Sequence, residues 1–368
     1  MKKKMFFLLV LSFCLSGLLE AADVKNPDAP LKGDWDLKAK KLWEVSNYGK
    51  EVMAMPAVEV VLDDETLCVY DYKSKENYLF DRNGKFVASF GKKGEGPGEV
   101  RSQRNVFAGE GKFIIMDYFL IHYFSNTGRY LKTVRYTETW GFPTLFINDD
   151  EYLSHKTLNT FEIQWVNLAK GSYKSIKEIS YYQQGVSFAG DQGLMTIILP
   201  GVTPTILCAF DQKNKKLYYG KNDSYTIYTM NQEGIVSNRF SINREKRDFT
   251  SMMKKELNKE IEMSPAQWKR FPSYLTYFNK IQILDEFIFV YVIYFGDYWK
   301  EQQIDIFFLD GKYLYRTVFK PGNEEEILST GYPSGKQVII KDGFLYTSLV
   351  DKEGDMKVVK YQVSLPKN

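Results

Sequence analysis

Glycines 84, 128 and 171 stand 44 and then 43 residues apart, and each sits between two short aromatic or β-branched runs. The first copy is the sharpest. Tyr78-Leu79-Phe80 leads into Asn83-Gly84, and Phe86 to Phe90 follows, with Phe86, Ala88 and Phe90 on one face at period two. Asn and Gly tolerate the positive φ that a two-residue mirror-image turn needs at both central positions, so Asn83-Gly84 predicts a tight hairpin. A hairpin that returns about every 43 residues has the spacing of a four-stranded propeller blade.

Six such units can be traced. Their leading strands fall at 67–71, 113–117, 151–155, 217–219, 287–291 and 344–348, and turn glycines recur at 234 and 311. The spacing widens to 63 and 77 residues in the second half, where an insertion at about 243–272 interrupts the pattern. Within it Phe249, Met253, Leu257 and Ile261 recur at helical spacing. Ser264-Pro265-Ala266-Gln267 has the form of a capping box with proline at the first helical position. The sixth unit ends at Leu365 without an outer strand. The apolar run Trp35–Ser46, containing Leu37, Leu42, Trp43 and Val45, has no hairpin partner nearby. Placing that run beside the last unit closes a ring and pairs the edges an open array would expose. The sequence therefore predicts an all-β, six-bladed β-propeller over residues 35–368, closed by its N-terminal strand, with a small helical insertion.

Residues 1–22 have the form of a secretory signal: Lys2-Lys3-Lys4, an apolar stretch from Met5 to Leu19, then Ala21-Ala22. Fifteen apolar residues are too few for a membrane span of about 20, so no transmembrane segment is expected once the signal is cleaved. A lipoprotein signal acylated at Cys14 is the competing reading, against which Phe13 is too large for the position before the cysteine. Residues 23–34, polar and carrying Pro27 and Pro30, read as a tether. Removing the signal takes away three lysines and Glu20 and lowers the formal net charge from +3 to +1, so nothing marks a nucleic-acid-binding surface. Cys68 and Cys208 lie in apolar runs and read as two buried thiols rather than a disulfide, and zinc-ligand spacing is absent.

The pattern of a strand ending in Asp, then Phe80-Asp81-Arg82-Asn83-Gly84-Lys85-Phe86, then Gly91-Lys92-Lys93-Gly94-Glu95-Gly96-Pro97-Gly98-Glu99, resembles the secreted six-bladed β-propeller proteins of Gram-negative bacteria. These are similar to TolB-like and NHL-repeat propellers. The resemblance covers most of the mature chain and implies the fold and export to the periplasm or cell envelope. It implies no activity.

The glycine-rich loop invites a phosphate-binding reading, but it lacks a Gly-Lys-Ser/Thr ending and a following helix. Its structural reading is an interblade turn stiffened by Pro97, with Glu99 accepting from local amides. Blade topology puts this loop on the same rim as the ends of the second strands. Asp71, Asp117 and His155 occupy one repeat position there, and Lys92, Lys93, Glu95, Glu99, Arg101 and Arg104 lie close by. These nine residues form the candidate ligand rim, set against the alternative of a solvated edge. His122 and His155 stand in different units, and no nucleophile elbow or His-Glu-x-x-His pair occurs. No catalytic residue and no cofactor is assigned, although aspartates at strand ends leave a divalent cation at the channel mouth open. Trp140, Trp165 and Trp299 serve either as core or as sugar-stacking platforms. The function expected is a non-enzymatic exported propeller that binds an envelope protein, a small ligand or a glycan through one rim. A channel-mouth lyase or metal-assisted hydrolase is the alternative.

Overall fold

The computed structural model describes residues 21–157, 160–180, 186–190, 193–197, 202–251, 254, 264–269, 273–293, 301–328 and 338–367. Residues 1–20, with Cys14 of the expected signal, Trp299 and most of the expected helical face of the insertion lie outside them. Thirty strands are numbered β1–β30 in chain order. Five blades are each a four-stranded antiparallel meander. Blade one holds β5 (Pro56–Val61), β6 (Leu67–Asp71), β7 (Glu76–Phe80) and β8 (Phe86–Phe90). Blade two holds β9 (Asn105–Gly109), β10 (Lys112–Asp117), β11 (Leu120–Ser125) and β12 (Tyr130–Arg135). Blade three holds β13 (Phe142–Phe146), β14 (Glu151–Thr157), β15 (Thr160–Asn167) and β16 (Ser172–Ser180). Blade four holds β19 (Ile206–Asp211), β20 (Lys216–Lys221), β21 (Thr226–Met230) and β22 (Val236–Ile242). Blade five holds β23 (Phe278–Leu284), β24 (Phe287–Val292), β25 (Gln302–Phe308) and β26 (Tyr313–Phe319).

Blade six is built differently. Its inner edge is shared by β27 (Glu325–Ile327) and β28 (Val338–Lys341), which both pair with β29 (Phe344–Asp351), and β30 (Met356–Gln362) follows. Its outer strand is β2 (Lys40–Val45), antiparallel to β30 in the register Lys40↔Gln362 to Val45↔Val358. The strand expected to close the ring does so. Two hairpins stand outside the blades: β3 (Asn47–Tyr48) with β4 (Glu51–Val52), and β17 (Val186–Gly190) with β18 (Gly193–Ile197). The chain is a six-bladed β-propeller.

The core lies between blades, not within them, because each sheet presents both faces to its neighbours. Six apolar clusters occupy the six blade–blade interfaces. That between blades six and one gathers Val58, Tyr78, Phe80, Tyr346 and Val358, with Trp43 of the closing strand against it. Lys357 and Lys41 both pair with Glu325, at 2.8 and 3.1 Å, and stitch β2 to the last blade.

The turn at Asn83-Gly84 differs from the mirror-image hairpin expected. Only Gly84 has positive φ, at 79°. Asp81 Oδ1 accepts from the amides of Asn83 and Lys85, each at 2.9 Å, and Gly84 N donates to Asp81 O. The carboxylate thus builds a longer turn around Asp81, and the ladder shifts register between Leu79 and Phe80.

Residues 23–34 are not a free tether. Strand β1 (Ala22–Asn26) lies parallel to β22 as a fifth strand of blade four. The chain then crosses to blade five, where Leu31 N and Lys32 N donate to Tyr313 O and Leu314 O, and Trp35 N donates to Arg316 O. Residues 22–36 form a strap from blade four past blade five to the closing strand of blade six. In the insertion, helix α1 (Pro265–Trp268) spans one turn, and Phe249 packs on Trp268 with ring centroids 5.8 Å apart. No described helix is long and apolar enough to cross a membrane.

Candidate functional site on the link rim

Each outer strand connects to the next inner strand by a link, and these links share a face of the ring with the turns after the second strands. Asp71 and Asp117 lie on this rim, as the repeat position implies, but they are buried and spoken for. Asp71 accepts from the amides of Ala54, Met55 and Lys73 at 2.8, 3.2 and 2.8 Å. Asp117 accepts from the amides of Arg101, Ser102 and Tyr118 at 2.7, 3.0 and 2.6 Å. In blade four Asn222 holds the equivalent place, accepting from Thr205 N at 2.7 Å. The side chain at the end of the second strand therefore fastens the incoming link by satisfying amides that have no ladder partner. His155 shares the repeat position but not the chemistry. Burial pushes its pKa down to about 4, its Nδ1 meets Thr144 Oγ1 at 2.7 Å, and it stacks on Phe161 with centroids 5.1 Å apart.

The link from blade one to blade two holds the remaining candidates together. Glu99 folds back over the loop, accepting from Gly96 N at 2.9 Å, and a Cβ at Gly94 would collide with its carboxylate. Lys92 approaches Glu99 at 3.8 Å, and Arg101 pairs with Glu95 at 2.9 Å, all on exposed or half-exposed side chains. Lys93 makes a backbone bridge with Val100. Arg104 lies over the rings of Tyr118 and Phe142, at 4.4 and 5.2 Å from their centroids. This link is a self-contained, internally paired turn beside an Arg–aromatic cluster.

His122 is buried, with Nδ1 2.9 Å from Thr133 Oγ1 and Nε2 3.7 Å from Asp117 Oδ2, and desolvation lowers its pKa. Cys68 is buried and Cys208 half-buried, both free; burial raises both thiols, Cys208 to about 12. Trp165 packs edge-on against Phe210 between blades three and four. Among the described residues no group of three or more His, Cys, Asp or Glu side chains is placed to hold a metal ion.

Three links further round, the same rim opens into a cavity of about 500 Å³ between the strap and blades four and five. Arg244, Arg247 and Arg316 line it with Asp28, Asn243 and Gln303. Beneath it sits Asp305, on β25 and wholly buried. Tyr225 and Tyr313 donate to its two oxygens at 2.7 Å each, and Gln303 Nε2 donates at 3.1 Å. Arg316 Nε lies 3.4 Å from Oδ1 and Arg244 Nη1 2.8 Å from Oδ2. Burial and the Asp305 charge both raise the Tyr225 and Tyr313 hydroxyls far above the ordinary phenol range. Burial opposes the charge on Arg244, but Asp305, Tyr225 and Asp28 together more than offset it and the guanidinium is held charged. The Arg244 side chain is only 9% exposed. Its Nε donates to Asp28 Oδ1 at 2.6 Å and its Nη1 pairs with Asp305, while Nη2 has no acceptor. A buried guanidinium with an unmatched Nη2 beside a polar cavity is costly unless something accepts from it.

Sequence reasoning missed this cavity because Asp28, Arg244, Asp305 and Arg316 come from four separate segments. One signal was present: Asp305 interrupts the apolar run from Ile304 to Phe308, and a charge there has to be compensated if buried.

No protein-family model matches the sequence, and no curated protein matches it. Among solved structures, a member of the DUF4221 family from Bacteroides vulgatus aligns with TM-score 0.53 at 11% identity, over 90% of this chain and 99% of that one. An exported-protein candidate from Bacteroides fragilis gives 0.45 at 14% identity, over 94% and 100%. A gluconolactonase from Xanthomonas campestris gives 0.45 at 10% identity, over 92% and 98%. The first likeness is one of fold; the other two are too distant to inform chemistry.

Proposed function

We propose that this chain is an exported, non-enzymatic binding propeller whose link rim takes a small polar ligand in the cavity bordered by Asp28, Arg244 and Arg316. The observation that carries the reading is the buried Arg244 guanidinium with its Nη2 unmatched at a cavity of about 500 Å³, a volume suited to a small molecule. Export rests on the basic-then-apolar N-terminus. Thermal-shift measurements across glycans, peptides and small acids test the reading, with Gln303→Leu as the cavity control. A stabilising ligand whose effect disappears in Gln303→Leu supports it. No shift with any member, and no partner retained from the cell envelope, overturns it.

A further inference from the structure

We propose that the ligand of this cavity carries a carboxylate, and that it binds by taking the place of the strap residue Asp28. The inference rests on reading the cavity as a ligand site and adds the ligand class and the way the site opens. The Asp28 side chain reaches the site with one oxygen: Oδ1 accepts from Arg244 Nε at 2.6 Å and from Arg316 Nη2 at 3.1 Å, and the Asp28 backbone carbonyl also accepts from Arg316 Nη2, at 2.9 Å. Nε and Nη2 of an arginine form one edge, which accepts the two oxygens of a carboxylate side by side. Asp28 uses only half of that edge on Arg244, since Nη2 has no acceptor. A ligand carboxylate set squarely on the edge would satisfy both donors. The occupant it displaces is weakly held, because the Asp28 side chain is 49% exposed, and exposed ion pairs contribute little.

Charge selects among anions. With Asp28 withdrawn, Arg244, Arg247 and Arg316 face the Asp305 and Glu245 carboxylates around the cavity. Among the described residues one positive charge remains, which suits a monocarboxylate better than a phosphate dianion. The rest of the described lining is chiefly amide, from Asn243 and Gln303, with Val292 as its apolar member. Such a wall fits a hydroxylated body, so a sugar acid is the class that matches. Asp28 lies on the strap between β1 and the Leu31–Trp35 contacts with β26, and its displacement loosens that stretch.

The test uses the full mature chain and three probes: D-galacturonate, its neutral parent D-galactose, and inorganic phosphate. Calorimetry should show galacturonate binding to the wild type, about tenfold tighter binding to Asp28→Asn and at least about tenfold weaker binding to Arg316→Gln, a factor of ten per lost charge-assisted contact. Galactose should not bind, phosphate should bind more weakly, and galacturonate should speed amide exchange at Leu31 and Lys32, whose amides bond to Tyr313 O and Leu314 O. Because Arg316 also pairs with buried Asp305, the Asp28→Asn result decides if Arg316→Gln does not fold. Equal binding of galactose, tighter binding of phosphate, or no gain in Asp28→Asn overturns the carboxylate inference while leaving the cavity a ligand site. If Asp28→Asn binds none of the probes at 10 mM (roughly the 3 kcal/mol floor of useful affinity), the inference falls, and the ligand panel with Gln303→Leu then decides the wider reading separately.

Discussion

Gly84 carries two constraints at once. Its φ of 79° lies in the left-handed region, and a Cβ there would stand 2.8 Å from Trp43 Cδ2 on the closing strand. Gly84→Ala should therefore lower stability by about 2 kcal/mol, combining left-handed strain with displacement of the Trp43 ring; denaturant unfolding measures it. A second residue-scale prediction concerns acid. His155 is held neutral, with its pKa near 4 against an ordinary 6.5. Between those values the unfolded chain binds the extra proton and the folded chain does not, so stability falls as pH drops from about 6.5 toward 4. His155→Gln keeps a partner for Thr144 and should flatten that part of the profile, and an unchanged slope would contradict the assignment. The turn glycine was legible in the sequence because only a narrow set of residues tolerates its φ. The turn type was not, because Asp81 competes for the same amides through its side chain, and residue pairs such as Asn-Gly do not encode that competition.

At the scale of elements, the hairpins made of the second to fourth strands were legible, since aromatic runs and glycine turns recur in each. The inner strands were less so: Phe142–Phe146 contains Pro143, and Asn105–Gly109 carries a single branched residue. Strand β1, Ala-Asp-Val-Lys-Asn, has no periodicity that distinguishes it from a linker, and only the exposed edge of β22 makes it a strand. The candidate rim was legible as topology but not as chemistry. Asp71 and Asp117 fall where the repeat puts them, yet their oxygens are occupied by link amides, a demand that arises only once the links are folded. Asp305 shows the same distinction energetically. Asp305→Asn would leave Arg244 charged and buried with only the half-exposed Asp28 as counter-ion, at a cost of about 3 kcal/mol. Asp28→Asn, at a half-exposed carboxylate, should change stability by less than about 1 kcal/mol. Chemical denaturation of the two variants side by side separates a structural carboxylate from one that merely occupies the cavity; equal losses would mean that Asp28 also holds the strap in place.

For the molecule as a whole, the question is which part of the N-terminal segment holds the ring together. The strap adds a fifth strand to blade four and bonds along blade five, but both blades are complete four-stranded sheets without it. The closing strand is different. Without β2, β30 becomes an open edge, Trp43 leaves the cluster between blades six and one, and Glu325 loses one of its two lysines. An edge of that kind invites pairing with another chain. A chain beginning at residue 37 keeps β2 and the buried Leu37, and should remain monomeric with one cooperative, modestly lowered thermal transition. A chain beginning at residue 47 should associate through the exposed edge and lose the single transition. Light scattering and calorimetry on the two truncations distinguish these outcomes. If the chain beginning at residue 47 stays monomeric and unfolds in one step, blade six is self-sufficient with three strands and β2 is ornamental. If instead the chain beginning at residue 37 already associates, the strap and not β2 is the clasp, and Asp28 then sits on the element that keeps the ring shut.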